Sequence, residues 1–266
     1  MSDNHLVVLI SDTHVGGVTA IAPNEFVTGE DQTIKSSVAQ QWIYGCWVDF
    51  WDHVKTLAGV KGKYRKRKII VCHLGDAVDG LHHGNVQILP EISDQENMFI
   101  QIFKPIVELA DAVLFTYGTD AHAGQTAQNE KSICRELGIQ KAGYNLVLDV
   151  EGVVSDLAHH GRAGGRPWTS SAAGFAAQVA QDYVQSGQKP PRYVFRGHAH
   201  TIDDSGQRLP QTQYICLPSW QLRTSYGWKV GQGRADVGGI LLMDGEISFA
   251  KARYTAAPGV REVIKV

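Results

Sequence analysis

Apolar residues in this chain follow two rhythms. Short β-branched runs break off into polar clusters, and between them lie longer stretches whose apolar positions recur every three or four residues. Five runs read as buried strands: 5–10, 68–74, 112–117, 146–158 with a turn at 149–152, and 192–196. The first runs into Ser-Asp-Thr-His, the second into Gly-Asp and the third into Gly-Thr-Asp-Ala-His; the fourth ends in His-His-Gly and the fifth in Gly-His-Ala-His.

Helical spacing marks residues 36–57 (Trp42, Ile43, Cys46, Trp47, Phe50, Trp51, Val54), 94–109 (Met98, Phe99, Ile102, Phe103, Ile106) and 172–185 (Phe175, Val179, Val184). These stripes read as core packing. Strands resume near residue 213 with TQYICL, followed by a hairpin that turns at 243–246. Strands alternating with helices predict an α/β fold, a layered sandwich of central mixed β-sheets flanked by helices. No linker or internal repeat divides the chain, so residues 1–266 are expected to form a single domain. In open α/β sheets ligands gather beyond the carboxyl ends of strands, where all five polar clusters lie.

Composition narrows the function classes. With 43% hydrophobic and 20% charged residues the chain is ordinary for a globular protein. A net charge of -2 gives no global attraction to nucleic acid or to an anionic membrane. Cys46, Cys72, Cys134 and Cys216 form no CxxC pair, which argues against a disulfide framework or a thiolate zinc site. A cytoplasmic protein is expected, since no apolar run resembles a signal peptide or approaches membrane-spanning length.

The clusters supply Asp12, His14, Asp76, Asp120, His122, His159, His160, His198 and His200. Neutral imidazole and carboxylate are the ligands that manganese, iron, zinc, cobalt and nickel accept. A single D-x-H would mean little. Burying this many such groups at one place costs several kcal/mol unless they pair or coordinate cations, so the joint set points to metal.

In this order the motifs resemble the calcineurin-like metallophosphoesterase superfamily, whose pattern is D-x-H, G-D, G-N-H, a single His, then G-H-x-H. Here they read Asp12-Thr13-His14, Gly75-Asp76, Gly118-Thr119-Asp120-Ala121-His122, His159-His160 and Gly197-His198-Ala199-His200. The resemblance implies that Asp12, His14 and His200 hold one metal, that Asp76 bridges two, and that His198 with His159 or His160 holds the second. His159 is slightly preferred. The third motif departs from the pattern: Asp120 is read as its ligand and His122 as the general acid, with the Thr119 hydroxyl as the alternative oxygen.

The implied activity is hydrolysis of a phosphate ester with two divalent metal ions, manganese foremost, with iron, zinc, nickel or cobalt also accepted. Such metals lower the pKa of bound water toward about 7. The expected substrate is a phosphodiester of a nucleotide or nucleic acid. A phosphomonoesterase is the second reading and an inactive metal-binding scaffold the third.

Several neighbours have two readings. Asp79 orients a ligand histidine or shapes its turn. His73, His82 and His83 read as loop or supporting residues beside the site, or one of them contacts substrate. Arg162 and Arg166 can contact phosphate or face solvent, and Trp168 can stack or pack. The run KGKYRKRK at 61–68 is a solvated loop or a strip for nucleic-acid backbone.

Overall fold

The computed structural model describes residues 4–62, 64–81, 86–160, 168–206, 211–224, 227, 236–248 and 253–254. In chain order these hold β1 (His5–Ile10), β2 (Glu25–Val27), β3 (Thr33–Lys35), α1 (Val38–Ala58), β4 (Lys68–His73), α2 (Ile92–Leu109) and β5 (Ala112–Thr116). Then follow α3 (Asp120–Ala123), α4 (Gln128–Glu136), β6 (Lys141–Gly143), β7 (Asn145–Val150), β8 (Val153–Ala158), α5 (Trp168–Gln185) and β9 (Tyr193–Arg196). The remainder is β10 (Asp203–Asp204), β11 (Gln213–Cys216), β12 (Val237–Gly238), β13 (Ile240–Met243), β14 (Glu246–Ser248) and β15 (Arg253–Tyr254).

Two mixed sheets form the centre. The first has the order β14-β13-β1-β4-β5-β6, with β1, β4, β5 and β6 parallel and β13 antiparallel to β1. The second has the order β10-β11-β9-β8-β7, with β8, β9 and β11 parallel. The two-residue period of a strand explains how they stack. Leu6, Val8 and Ile10 of β1 pack with α1, α2 and α4, whereas Val7 and Leu9 meet Leu157, Phe195 and Ile215 of the second sheet. On the far side Val194, Tyr214 and Cys216 pack with Ala172, Ala176 and Val179 of α5. The layers therefore run helices, sheet, sheet, helix, which is the predicted sandwich.

Local sequence sets the element ends. Ser37 and Gln40 form a reciprocal capping box at the start of α1: Gln40 N–H donates to Ser37 Oγ at 3.3 Å, and Ser37 N–H to Gln40 Oε1 at 2.9 Å. Gly59 closes the helix at φ 64°, a left-handed position that glycine takes without a Cβ clash. Trp47 of α1 meets Trp220 edge-on, with centroids 4.7 Å apart. The Trp220 N–H donates to the Asp12 carbonyl at 3.0 Å, so helix packing reaches the first polar cluster directly.

Beneath α5 an ion pair is buried. Arg196 Nη2 lies 2.5 Å from Asp156 Oδ1, and Tyr183 Oη donates to Asp156 Oδ2 at 2.9 Å. These groups point outward from the second sheet because their neighbours Leu157 and Phe195 point inward. Among the described residues no helix is long and apolar enough to cross a membrane.

Candidate metal centre

The five clusters follow β1, β4, β5, β8 and β9, and they meet where the carboxyl ends of both sheets come together. Backbone bonds pin them to one another. Asp12 N–H donates to the Gly75 carbonyl at 3.0 Å, His14 N–H to the Asp76 carbonyl at 3.0 Å, and Gly197 N–H to the His159 carbonyl at 3.1 Å. The Leu74 carbonyl joins the sheets, accepting from Ser11 Oγ at 2.9 Å and from His159 Nδ1 at 2.6 Å.

Backbone strain is concentrated here. Among the described residues ten non-glycines have positive φ, and five of them are Asp12 (54°), His14 (43°), Asp76 (54°), His198 (73°) and His200 (58°). Side-chain-bearing residues seldom adopt this conformation unless the surroundings impose it, and such residues cluster at functional sites.

Side chains converge accordingly. His14 Nε2 and His200 Nε2 are 3.0 Å apart, and Asp12 Oδ1 lies 3.3 Å from His200 Nε2 and 3.6 Å from His14 Nε2. Asp76 Oδ2 lies 3.0 Å from His159 Nε2, 3.9 Å from His122 Nε2 and 4.0 Å from His14 Nε2. Asp12 Oδ2 accepts from His198 N–H at 2.9 Å. Candidate ligand atoms group as Asp12, His14 and His200; His14, Asp76 and His122; Asp12, Asp76 and His159; and His159, His160 and His198.

These groups fit a cation. Bonding to the Leu74 carbonyl fixes the proton on His159 Nδ1, leaving the Nε2 lone pair turned inward. That buried atom has no hydrogen-bond partner although Asp76 Oδ2 is only 3.0 Å away. Once Nε2 is deprotonated, two acceptors 3.0 Å apart are spaced as ligands about 2.0–2.2 Å from a common ion would be.

The electrostatics agree. Burial alone would raise Asp76, but His159, His122 and His14 together outweigh it and hold the carboxyl well below the usual range. Asp12 behaves likewise, with His200 the main opposing group. Burial would lower His159, yet Asp76 and Asp12 push it up to about 10. Without a cation this pocket is negative enough to trap a proton on a buried imidazole.

The third motif is arranged differently from expectation. Thr119, not Asp120, sits on the Asp76 carboxylate: its N–H donates to Asp76 Oδ1 at 2.7 Å and its hydroxyl to the same atom at 3.1 Å. Asp120 is exposed, opens α3 and belongs to none of the four groups, although its charge reaches His160. The close approach of Thr119 depends on Gly118, because a Cβ there would collide with Asp76 Oδ1. His122 donates from Nδ1 to the Asp79 carbonyl at 2.6 Å, which turns Nε2 toward Asp76.

Supporting residues surround this set. Asp79 Oδ1 is 3.8 Å from His14 Nδ1 and Asp79 Oδ2 accepts from Gln87 at 2.9 Å. Buried His73 stacks on Phe115 with centroids 4.6 Å apart, accepts from Gly75 N–H and contacts Thr13 Oγ1 at 3.3 Å. Glu130 escapes a reading of the sequence. Fully buried on α4, it accepts from Ala77 N–H at 3.1 Å and from Gly118 N–H at 2.6 Å, clamping the second and third motifs together. Its spacing from buried Ala127, Ile133 and Cys134 puts it on the apolar face of α4, a stripe visible only once the helix is known.

His82, His83, Arg162 and Arg166 lie outside the described residues, as does the Trp168 side chain. The basic run lies away from the centre. It precedes β4, whereas Asp76 follows it, and a six-residue strand spans about 20 Å. Arg65 pairs with Asp111 at 3.4 Å, and Arg67 pairs with Asp244 at 3.6 Å and donates to the Leu57 carbonyl at 2.9 Å.

No family model and no curated protein matches the chain. Solved structures do. An archaeal phosphodiesterase is 11% identical, the match covering 91% of this chain and 97% of that one with a TM-score of 0.43. Yfce, a phosphoesterase from E. coli, is 9% identical over 90% of this chain and 88% of its own, with a TM-score of 0.41. A hypothetical protein from Pyrococcus horikoshii is 10% identical over 91% and 86%, with a TM-score of 0.48. In its motif order, and in the gathering of those motifs around Asp76, the chain resembles the calcineurin-like metallophosphoesterase superfamily.

Proposed function

We propose that the chain is a two-metal phosphoesterase acting on phosphodiesters, with nucleotides or nucleic acids as the substrate class to test first. One observation carries this reading. Asp76 presents a single oxygen, Oδ2, to His14 and His122 on the first sheet and to His159 on the second. A carboxylate shared in this way suits a bridge between two cations.

Asp12, His14 and His200 would complete one position, and His159 and His198 the other. Bound divalent cations supply hydroxide near neutral pH and offset charge on phosphoryl oxygens. The rest falls to the chain. The Asp79 carbonyl holds His122 so that a protonated Nε2 faces the centre and can give its proton to the departing alkoxide. Among the described residues the candidate ligand atoms grouped with Asp76 come from His14, His122, Asp12 and His159, and Thr119 bonds its carboxylate.

The test is hydrolysis of bis-p-nitrophenyl phosphate beside p-nitrophenyl phosphate, on chelator-stripped protein refilled with manganese, nickel or zinc. Metal-dependent turnover favouring the diester is expected. Preference for the monoester would make the protein a phosphomonoesterase, and metal uptake without turnover of either would sink the hydrolase reading.

A further inference from the structure

The two cation positions are built from unlike donors. Around the first stand Asp12, His14 and His200, one carboxylate and two imidazoles. At the second, His159, His160 and His198 form a triangle with ring centroids 5.1, 5.3 and 5.2 Å apart, and one nitrogen from each lies within 4.8 Å of the others. The third motif adds no oxygen to that triangle. Thr119 is engaged with Asp76, and Asp120 stands exposed outside every group.

We infer that His160 acts together with His159, not in place of it, and that the second position is a three-imidazole site favouring zinc, nickel or cobalt over manganese. This rests on the two-metal reading above. With Asp76 shared, the first position has two carboxylates and two imidazoles, and the second has one carboxylate and three imidazoles. Oxygen-rich sets suit manganese, whereas imidazole suits zinc and nickel. The neutral donors also leave the second cation's charge less compensated, so a poorly matched metal is released from it first.

Calorimetric titration of the chelator-stripped full chain with zinc, nickel and manganese, with bound metal counted after gel filtration, tests the inference. Two equivalents of zinc or nickel are expected, against one of manganese with a second at least about tenfold weaker. His160→Ala should weaken the second zinc at least about tenfold and leave the first unchanged. Because His160 is exposed, circular dichroism should show the same fold. In cobalt-loaded protein the same variant should alter the visible absorption of the second equivalent only. Wild-type affinity for both zinc ions in His160→Ala, or equal filling of both positions by manganese, would overturn the inference while leaving two metals in place. A wild-type chain that takes up no metal would instead overturn the reading on which it rests.

Discussion

Glu130 touches no candidate ligand side chain, yet two of the loops that carry them end on its carboxylate. Removing that carboxylate strands two buried N–H groups, each costing about 1–3 kcal/mol. Glu130→Ala should therefore lower stability by about 2–6 kcal/mol in urea denaturation. Asp76→Asn and His200→Ala should abolish turnover while leaving the circular dichroism spectrum intact; wild-type rates in either, at equal metal loading, would dismantle the centre described here.

His73 predicts a pH dependence. Burial pushes its imidazole down to about 3, so it stays neutral in the fold while the unfolded chain titrates near 6.5. Its contribution is complete above about 6.5 and is lost as pH falls toward 3, at about 1.4 kcal/mol per unit. Between pH 7 and 5 the stripped protein should lose about 2 kcal/mol through this residue, and His73→Phe should show a correspondingly shallower decline. Glu130, which burial and then Asp76 push up to about 7, has the opposite sign across that window. Comparing the variant with wild type therefore isolates the imidazole.

At the scale of elements, the legible parts were those whose apolar period matched a single environment. The strands 5–10 and 112–117 differ from β1 and β5 by at most one residue, since both are buried on two faces and end at abrupt polar clusters. The turn at 149–152 separates β7 from β8 because Asp149 caps Gly152 through a 2.8 Å bond. Helix α4 went unread: its sequence QNEKSICRE buries Ile133 and Cys134 as its only apolar residues, too sparse a stripe to announce a helix. The clusters that meet at the candidate centre were legible in the sequence by residue type and order. The placement of Thr119 rather than Asp120 against Asp76 was not, because it depends on how closely Gly118 lets the loop approach Asp76. The capping box gives this scale its prediction: Ser37→Ala should cost about 1 kcal/mol, visible as a lower melting temperature.

For the whole molecule, the centre is one place where the two sheets share polar contacts as well as apolar ones. Charge couples them there, since His159 on the second sheet is held near 10 by Asp76 and Asp12 on the first. Metal loading at pH 7.5 must therefore expel a proton, and calorimetry in buffers of different ionisation enthalpy should register about one released per cation at that position. A cation held at about 100 times its dissociation constant adds about 2.7 kcal/mol to the stability of both sheets together. The position of β1 has a further consequence, which concerns protein synthesis. This strand lies between β4 and β13, yet β13 is made more than two hundred residues later, after every candidate ligand histidine has been synthesised. Until then the nascent chain carries an unpaired apolar edge on β1, open to other chains during translation.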